Sequence, residues 1–346
     1  MYYLTYRPNT IEELDNSHVR DTIANLLQSK KLPHALLFVG PKGTGKTSTA
    51  RIVAKAINCL NNAFSGHGTL YDPCNTCSNC TTITTGSSPD VVEQDAASNR
   101  GIDEIRRLIR ESSFMPMTGT YRVYIIDEAH MITPDAFNAL LKTLEEPPKS
   151  VIFILATTNE EKLPTTIISR CLRIPFGAAK KEDIVHMIER IALHEKLTLT
   201  DEIKDLIAMY SEHSFRDATK LLEELVVQKK LDSKEAQIYL GIRSKDSLLH
   251  IIADKELKDA IDWIDEFVAS GGNVKHVIED MLQKLRVYLV KKATKQEDGI
   301  DINLSLREIT QLIKLLHEAY NVMKISPIEV LPLEIAVVEF YNRKHV

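Results

Sequence analysis

The chain has 346 residues, 44% hydrophobic and 26% charged, with 48 acidic against 43 basic side chains and a net charge of −5. That length exceeds one compact core and calls for two or three domains. The acidic balance excludes a surface coated in basic residues for nucleic acid, so any DNA contact must come from a local basic face or one that forms on assembly.

No stretch of 18 apolar residues is present, and Met1 to Pro8 has no apolar signal core, so the reading is cytoplasmic with no membrane partner. In that compartment thiols stay reduced, and the five cysteines need a role other than structural disulfides.

The first predicted strand, Leu36 to Val39, runs into Gly40-Pro41-Lys42-Gly43-Thr44-Gly45-Lys46-Thr47, a full match to G-x-x-x-x-G-K-[ST], and a helix is predicted over Thr47 to Asn58. Glycines there let the backbone wrap phosphates, and amides at the helix start point at them. Lys46 is expected to reach the β- and γ-phosphates of ATP and Thr47 to hold Mg²⁺. Next come Cys59, Cys74, Cys77 and Cys80, set among turn-forming residues. Four soft ligands at such spacing suit tetrahedral Zn²⁺; buried cysteines and a redox C-x-x-C are the alternatives, and His67 is a spare ligand.

Beyond the cysteines, strands are predicted over Val91 to Gln94, Val123 to Ile126, Val151 to Ala156 and Leu172 to Pro175, with helices over Ile102 to Arg110 and Asp135 to Leu144. Near-continuous apolar runs of this kind suit a parallel sheet covered on both faces. The third strand ends in Asp127-Glu128. Asp127 is placed for the Mg²⁺ shell, and Glu128 can take a proton from attacking water. A nucleotide kinase would not need that second acid, so the pair favours hydrolysis. Thr158 follows the fourth strand, where a hydroxyl could orient water or the γ-phosphate. After Phe176-Gly177 only helices are predicted: Lys180 to Lys196, Asp201 to His213 and Arg216 to Lys229, closing near Gly241. A second helical block holds Leu257 to Phe267, a Gly271-Gly272 break, Val274 to Val290, an exposed loop at Lys295 to Gly299, Leu306 to Met323 and Ile328 to Tyr341.

Several segments carry a resemblance. Ser169-Arg170-Cys171 after Leu163-Pro164, Ser214-Phe215-Arg216-Asp217-Ala218, and Ala139-Leu140-Leu141-Lys142-Thr143-Leu144-Glu145-Glu146-Pro147-Pro148 resemble the gamma/tau subunits of the bacterial DNA polymerase III clamp loader, which are AAA+ ATPases. The cysteine insertion also stands where that family carries a zinc module. The resemblance spans essentially the whole chain. It implies an α/β AAA+ P-loop domain with a parallel five-stranded sheet and zinc module over residues 1–178, a helical lid over 179–242, and an all-α collar over 243–346. It also implies that Arg170 acts on a neighbouring subunit's ATP, that Arg216 folds onto the γ-phosphate of its own site, and that Thr158 is the polar sensor. Arg7, Pro8, His18 and Val19 would lie beside adenine, with Gly40 to Thr47 and Ser48 around the phosphates. Zinc would sit on Cys59, Cys74, Cys77 and Cys80, with Cys171 left out. Two departures stand out: His213 replaces the family's leading glycine, and the Cys59–Cys74 spacing is longer than usual.

The implied partners are other clamp loader subunits in a hetero-pentamer, with more than one copy of this chain left open, together with the sliding clamp and primed DNA. Arg100, Arg106 and Lys142 are the candidates for DNA phosphates. The implied activity is ATP hydrolysis that opens and loads the clamp within the DNA polymerase (nucleotidyltransferase) holoenzyme. Another AAA+ motor, such as a branch-migration helicase, and a non-hydrolysing scaffold subunit are the rivals.

Overall fold

The structure, a computed structural model, describes residues 1–98, 101–239, 248–269, 274–294, 302–323 and 325–344. Arg100, Gly241, Gly271-Gly272 and the Lys295 to Gly299 loop lie outside the described residues. The chain forms two compact units, Met1–Val227 and Gln228–Val346.

The first unit opens with the short helix α1 (Tyr2–Thr5) and then α2 (Ser17–Gln28), β1 (Ala35–Val39), α3 (Lys46–Asn58) and α4 (Ser78–Thr84). It continues through β2 (Val91–Asp95), α5 (Ile102–Ser112), β3 (Arg122–Asp127), α6 (Pro134–Glu145), β4 (Val151–Thr157), α7 (Thr165–Ile168) and β5 (Leu172–Pro175). The five strands pair in parallel in the order β2-β3-β4-β1-β5. All five stand where the apolar runs predict them. Alternate side chains feed two cores, as a period of two requires. Leu36, Phe38, Ile125 and Ile154 pack with Ile23 and Val53 on the α2/α3 face. Leu37, Tyr124, Ile126, Phe153 and Leu155 pack with Leu108 and Leu140 on the α5/α6 face. Fully burying a side chain of this size contributes about 1.5–3 kcal/mol. The parallel register brings the carboxyl ends of β1, β3 and β4 to one edge, where the phosphate-binding motif and both acids emerge.

Three more helices complete this unit: α8 (Lys181–Glu195), α9 (Asp201–Tyr210) and α10 (Phe215–Val227). The predicted helix over Asp201 to His213 ends early, at Tyr210, because Glu212 and His213 hold φ of 49° and 57°. His213 thus occupies a left-handed position that favours glycine, which accounts for the residue it replaces. Its Nδ1 lies 3.1 Å from the carbonyl oxygen of Ala179, whose own amide donates to the His213 carbonyl at 3.0 Å.

The second unit comprises α11 (Ser233–Tyr239), α12 (Leu248–Asp254), α13 (Leu257–Ala269), α14 (Val274–Ala293), α15 (Leu306–Met323) and α16 (Leu331–Lys344). Its core gathers Leu249, Ile264, Phe267, Leu285, Leu316 and Phe340. The helix predicted from Ile328 begins at Leu331 instead, with Pro332 in the first turn, where a missing N–H costs nothing.

Candidate functional site

β1 ends at Val39, and the chain reaches α3 through Gly40 to Gly45. Gly43 and Gly45 hold φ of +77° and +94°, which glycine adopts without steric cost. Gly45 caps α3, so the unpaired amides and positive end of that helix face the space in front of the loop. A Cβ on Gly43 would stand 1.9 Å from Ser214 Oγ. Only a bare backbone lets the loop meet the helical layer there, and the Phe215 amide donates to the Gly43 carbonyl at 3.1 Å.

Lys46 is buried and its Nζ donates to the carbonyls of Gly40 (2.8 Å) and Pro41 (2.7 Å). Burial pushes its ammonium below the ordinary lysine value, opposed by Glu128 and Asp127. Thr47 Oγ1 donates to Asp127 Oδ2 at 2.5 Å, across 80 residues of sequence. The amide of Glu128 donates to Asp127 Oδ1 at 2.9 Å, and Glu128 itself is left-handed at φ 47°. Its Oε2 accepts from Thr158 Oγ1 at 3.1 Å and lies 3.4 Å from His130 Nδ1.

Around these groups lies a cavity of 180 Å³. Arg7, Pro8 and Val19 line one side, Lys42 to Thr49 the floor, Asp127 and Glu128 the sheet edge, and Met187, Phe215, Arg216 and Thr219 the helical side. Arg7 Nε donates to Ser48 Oγ at 2.7 Å. Burial, then the neighbouring Arg51, pushes the Arg7 guanidinium below its usual value. Amides and four cations around two carboxylates suit a polyanion carried with a divalent cation.

A second cluster sits at the far end of α3. Cys59 is the C-cap of that helix, while Cys77 caps α4 by accepting the Cys80 amide. The sulfurs of Cys59, Cys74, Cys77 and Cys80 all lie within 4.8 Å of one another. A tetrahedral ion with metal–sulfur bonds of about 2.3 Å places its four sulfurs about 3.8 Å apart, so the cluster fits one with little closing movement. Amides of Asn61 and Cys74 donate to Cys59 Sγ, each at 3.4 Å, and the Cys77 amide donates to Cys74 Sγ at 3.3 Å. Burial opposes ionisation at Cys74, yet hydrogen bonds from Thr76 and the Cys77 amide hold its thiol down to about 6. Burial first, and then neighbouring sulfur, pushes the Cys80 thiol up. The residues from Ser78 onward form α4 rather than the turn their composition suggests, because Cys77 caps the helix and Cys80 anchors its first turn in the cluster.

The family profile described as DNA polymerase III, delta subunit, matches residues 15–180. The DNA polymerase III subunit tau of Bacillus subtilis is 38% identical over 367 residues, covering 99% of this chain and 63% of that protein. The DNA polymerase III subunit gamma of Buchnera aphidicola subsp. Baizongia pistaciae is 35% identical over 286 residues, covering 81% of this chain and 76% of that one. The chain belongs to the DNA polymerase III gamma/tau family. Among solved structures, a Thermotoga maritima RuvB variant matches with a TM-score of 0.50 at 18% identity, over 78% of this chain and 86% of that one. At that identity the likeness is one of fold, the AAA+ architecture. No helix among the described residues is long and apolar enough to cross a membrane.

In this gamma/tau chain the sequence motifs from four separate segments meet at one cavity, while other predicted residues stand apart. His18 is exposed on α2 and is not among the lining residues. Gly40 and Pro41 also lie outside the wall and supply carbonyls to Lys46. Arg170 is outside the lining too; it pairs with Glu145 at 2.5 Å and donates to the Thr166 carbonyl at 2.7 Å. Arg106 is exposed on α5, 3.8 Å from Asp103, and Lys142 is exposed on α6, the neighbouring helix. Cys171 packs beside the α5/α6-face core, where burial pushes its thiol up to about 11. Sequence reasoning missed Met187, Phe215 and Thr219 as cavity residues. No motif marks Met187 or Thr219, whereas Phe215 stood one residue from the predicted Arg216.

Proposed function

We propose that this chain is an ATP-hydrolysing subunit of the DNA polymerase III clamp loader, coupling ATP binding and hydrolysis to opening the sliding clamp and placing it on primed DNA. One observation carries the reading: Lys46, Thr47, Asp127, Glu128 and Arg216 border a single cavity although they come from three parts of the chain. The loop amides and α3 would bind the triphosphate, with Lys46 turning from its two carbonyls to the β- and γ-phosphates. Thr47 and Asp127 would hold Mg²⁺, which when bound neutralises phosphate charge as the γ-phosphoryl group leaves. Glu128 would take a proton from the attacking water, with Thr158 fixing the orientation of its carboxylate. Arg216 would approach the γ-phosphate from the lid, and Arg7, Pro8 and Val19 would flank adenine. Arg170 would reach the ATP site of the adjacent subunit. The four cysteines would hold Zn²⁺ as a structural module.

Partners follow from the same reading: other subunits of a hetero-pentamer, the clamp, and DNA phosphates met by Arg106, Lys142 and Arg100. The chain spans 63% of the B. subtilis tau subunit, so the activities of that whole protein come to this chain as part of the proposal. ATPase assays of the complex reconstituted with clamp and primed DNA test it. Turnover stimulated by both partners, and lost with Lys46→Ala, is the expected result. Equal turnover by Lys46→Ala complexes would overturn the assignment of this cavity.

A further inference from the structure

The cysteine module and the nucleotide cavity stand at opposite ends of α3, whose 13 residues span about 20 Å. They are nevertheless joined by a second route. Lys55, 3% exposed, lies on α3 one turn before Cys59. Its Nζ donates to the Asn9 carbonyl at 2.9 Å and to Asn75 Oδ1 at 2.7 Å. The Asn75 side-chain amide donates to the same Asn9 carbonyl at 3.3 Å. Two residues further, the Ile11 amide donates to Asp72 Oδ1. Asp72 and Asn75 bracket Cys74, and Asn75 holds a left-handed φ of 55° inside the Cys74–Cys77 turn. The direction of both side chains is therefore set by the fold of the cysteine knuckle.

The far side of this clasp reaches the cavity. Asn9 Nδ2 donates to the Arg7 carbonyl at 3.0 Å, and Arg7 and Pro8 line the cavity, with Arg7 bonded to Ser48. Asn9 is otherwise an exposed residue in a segment without secondary structure, whose only other backbone tie at this position, among the described residues, is its amide's bond to Glu13 at 2.7 Å. A buried ammonium needs acceptors, and those of Lys55 lie only on the N-terminal segment and the knuckle. Removing either side takes away one of its acceptors, which couples the three parts.

We propose that the cysteine module is a positioning element of the nucleotide cavity: through Asp72, Asn75 and buried Lys55 it fixes Asn9 to Ile11 and so holds Arg7 and Pro8 in the wall. The inference rests on the reading of this cavity as the ATP site and of the cluster as a metal site. It assigns Lys55 and Asn75 as positioning residues rather than catalytic ones.

The test uses the zinc-loaded full chain. Asn75→Gly deletes the side-chain amide while keeping the left-handed backbone, and Lys55→Met removes the ammonium at similar volume. Ser78→Ala, an exposed change in the same module, is the control. Three quantities are measured: zinc per chain, hydrogen exchange at residues 9–11, and equilibrium binding of a non-hydrolysable ATP analogue. Both clasp variants are expected to keep their zinc, exchange faster at Asn9 and Ile11, and bind the analogue on the order of fivefold to tenfold more weakly, the loss of about one to two hydrogen bonds' worth of order. In an Arg7→Ala background Lys55→Met should add little further loss, because the clasp acts through that wall; a merely structural role would weaken binding equally in both backgrounds. Unchanged affinity in both zinc-replete clasp variants, despite faster exchange, would overturn the proposal. A wild-type chain that binds no nucleotide, or a Lys46→Ala chain that binds as well as wild type, would overturn the nucleotide reading and the clasp with it.

Discussion

At Glu128 the backbone enters the left-handed region while the carboxylate meets Thr158 and faces His130. Such a conformation costs a non-glycine residue roughly 1–3 kcal/mol and persists where surroundings over-determine it. Glu128→Gln keeps the shape and the Thr158 contact but cannot take a proton. It is expected to bind ATP near the wild-type level and to lose about 10²–10⁴ in turnover, read by single-turnover hydrolysis alongside equilibrium binding. Wild-type turnover would remove Glu128 from the base role. Gly43 makes a different kind of prediction. Gly43→Ala places a methyl 1.9 Å from Ser214 Oγ and 3.0 Å from its Cβ at a φ of +77°, so Ser214 Oγ must turn away from the Asp217 amide and the loop backbone is strained. Nucleotide affinity should fall although every charged group of the cavity is intact, and titration with a fluorescent ATP analogue would show it.

Elements, rather than single residues, explain what could be read in advance. The central strands were legible because helices cover both faces of the sheet, which makes β1 and β4 apolar along nearly their whole length and β3 apolar through its middle. The edge strands β2 and β5, by contrast, carry Glu93, Gln94 and Arg173. The phosphate loop and Asp127-Glu128 were legible because their chemistry fixes residue types at fixed spacing. Helix α4 was not: Ser, Asn and Thr are weak helix formers, and the cap and anchor that override them come from the cysteine cluster. The clasp on Asn9 was equally hidden, since Lys55 and Asn75 lie 46 and 66 residues from it and no local pattern links them. The cluster predicts about one zinc per chain with sulfur ligation, and elemental analysis with X-ray absorption of reduced protein checks both.

One further element depends on a buried carboxylate. Asp90 accepts the amides of Met117, Thr118 and Gly119 at 2.7–2.8 Å and the Thr118 hydroxyl at 2.9 Å, closing the loop that leads into β3. Burial opposes its ionisation, but these donors hold the carboxyl below the ordinary aspartate value. A group depressed on folding contributes its stability fully above the unfolded pKa of about 3.9, and loses it as pH falls through the lower folded value. Asp90→Asn points an amide at donors and should cost about 1–3 kcal/mol near neutral pH, with the difference from wild type shrinking in acid. Denaturant midpoints measured across that range give the sign.

For the whole molecule, the cavity of one chain is lined by Lys42 to Thr49, Asp127, Glu128 and Arg216, while Arg170 stands outside it, paired with Glu145. An arginine so placed can serve a neighbour once Glu145 releases it. Removing such a group from a phosphoryl-transfer site costs roughly 10³–10⁵ in rate, while binding to the mutant's own cavity needs only its own residues. The central claim is therefore that hydrolysis belongs to the interface between assembled subunits, and the most direct measurement is a mixing experiment. Arg170→Ala and Glu128→Gln chains are each assembled with clamp and primed DNA, then combined at varied ratios, and stimulated ATP turnover is followed. Each variant alone should be nearly inactive, and mixtures should regain turnover where an intact Arg170 meets an intact Glu128 across an interface. No recovery at any ratio, with assembly verified, would contradict the account and leave Arg170 a structural arginine bound to Glu145.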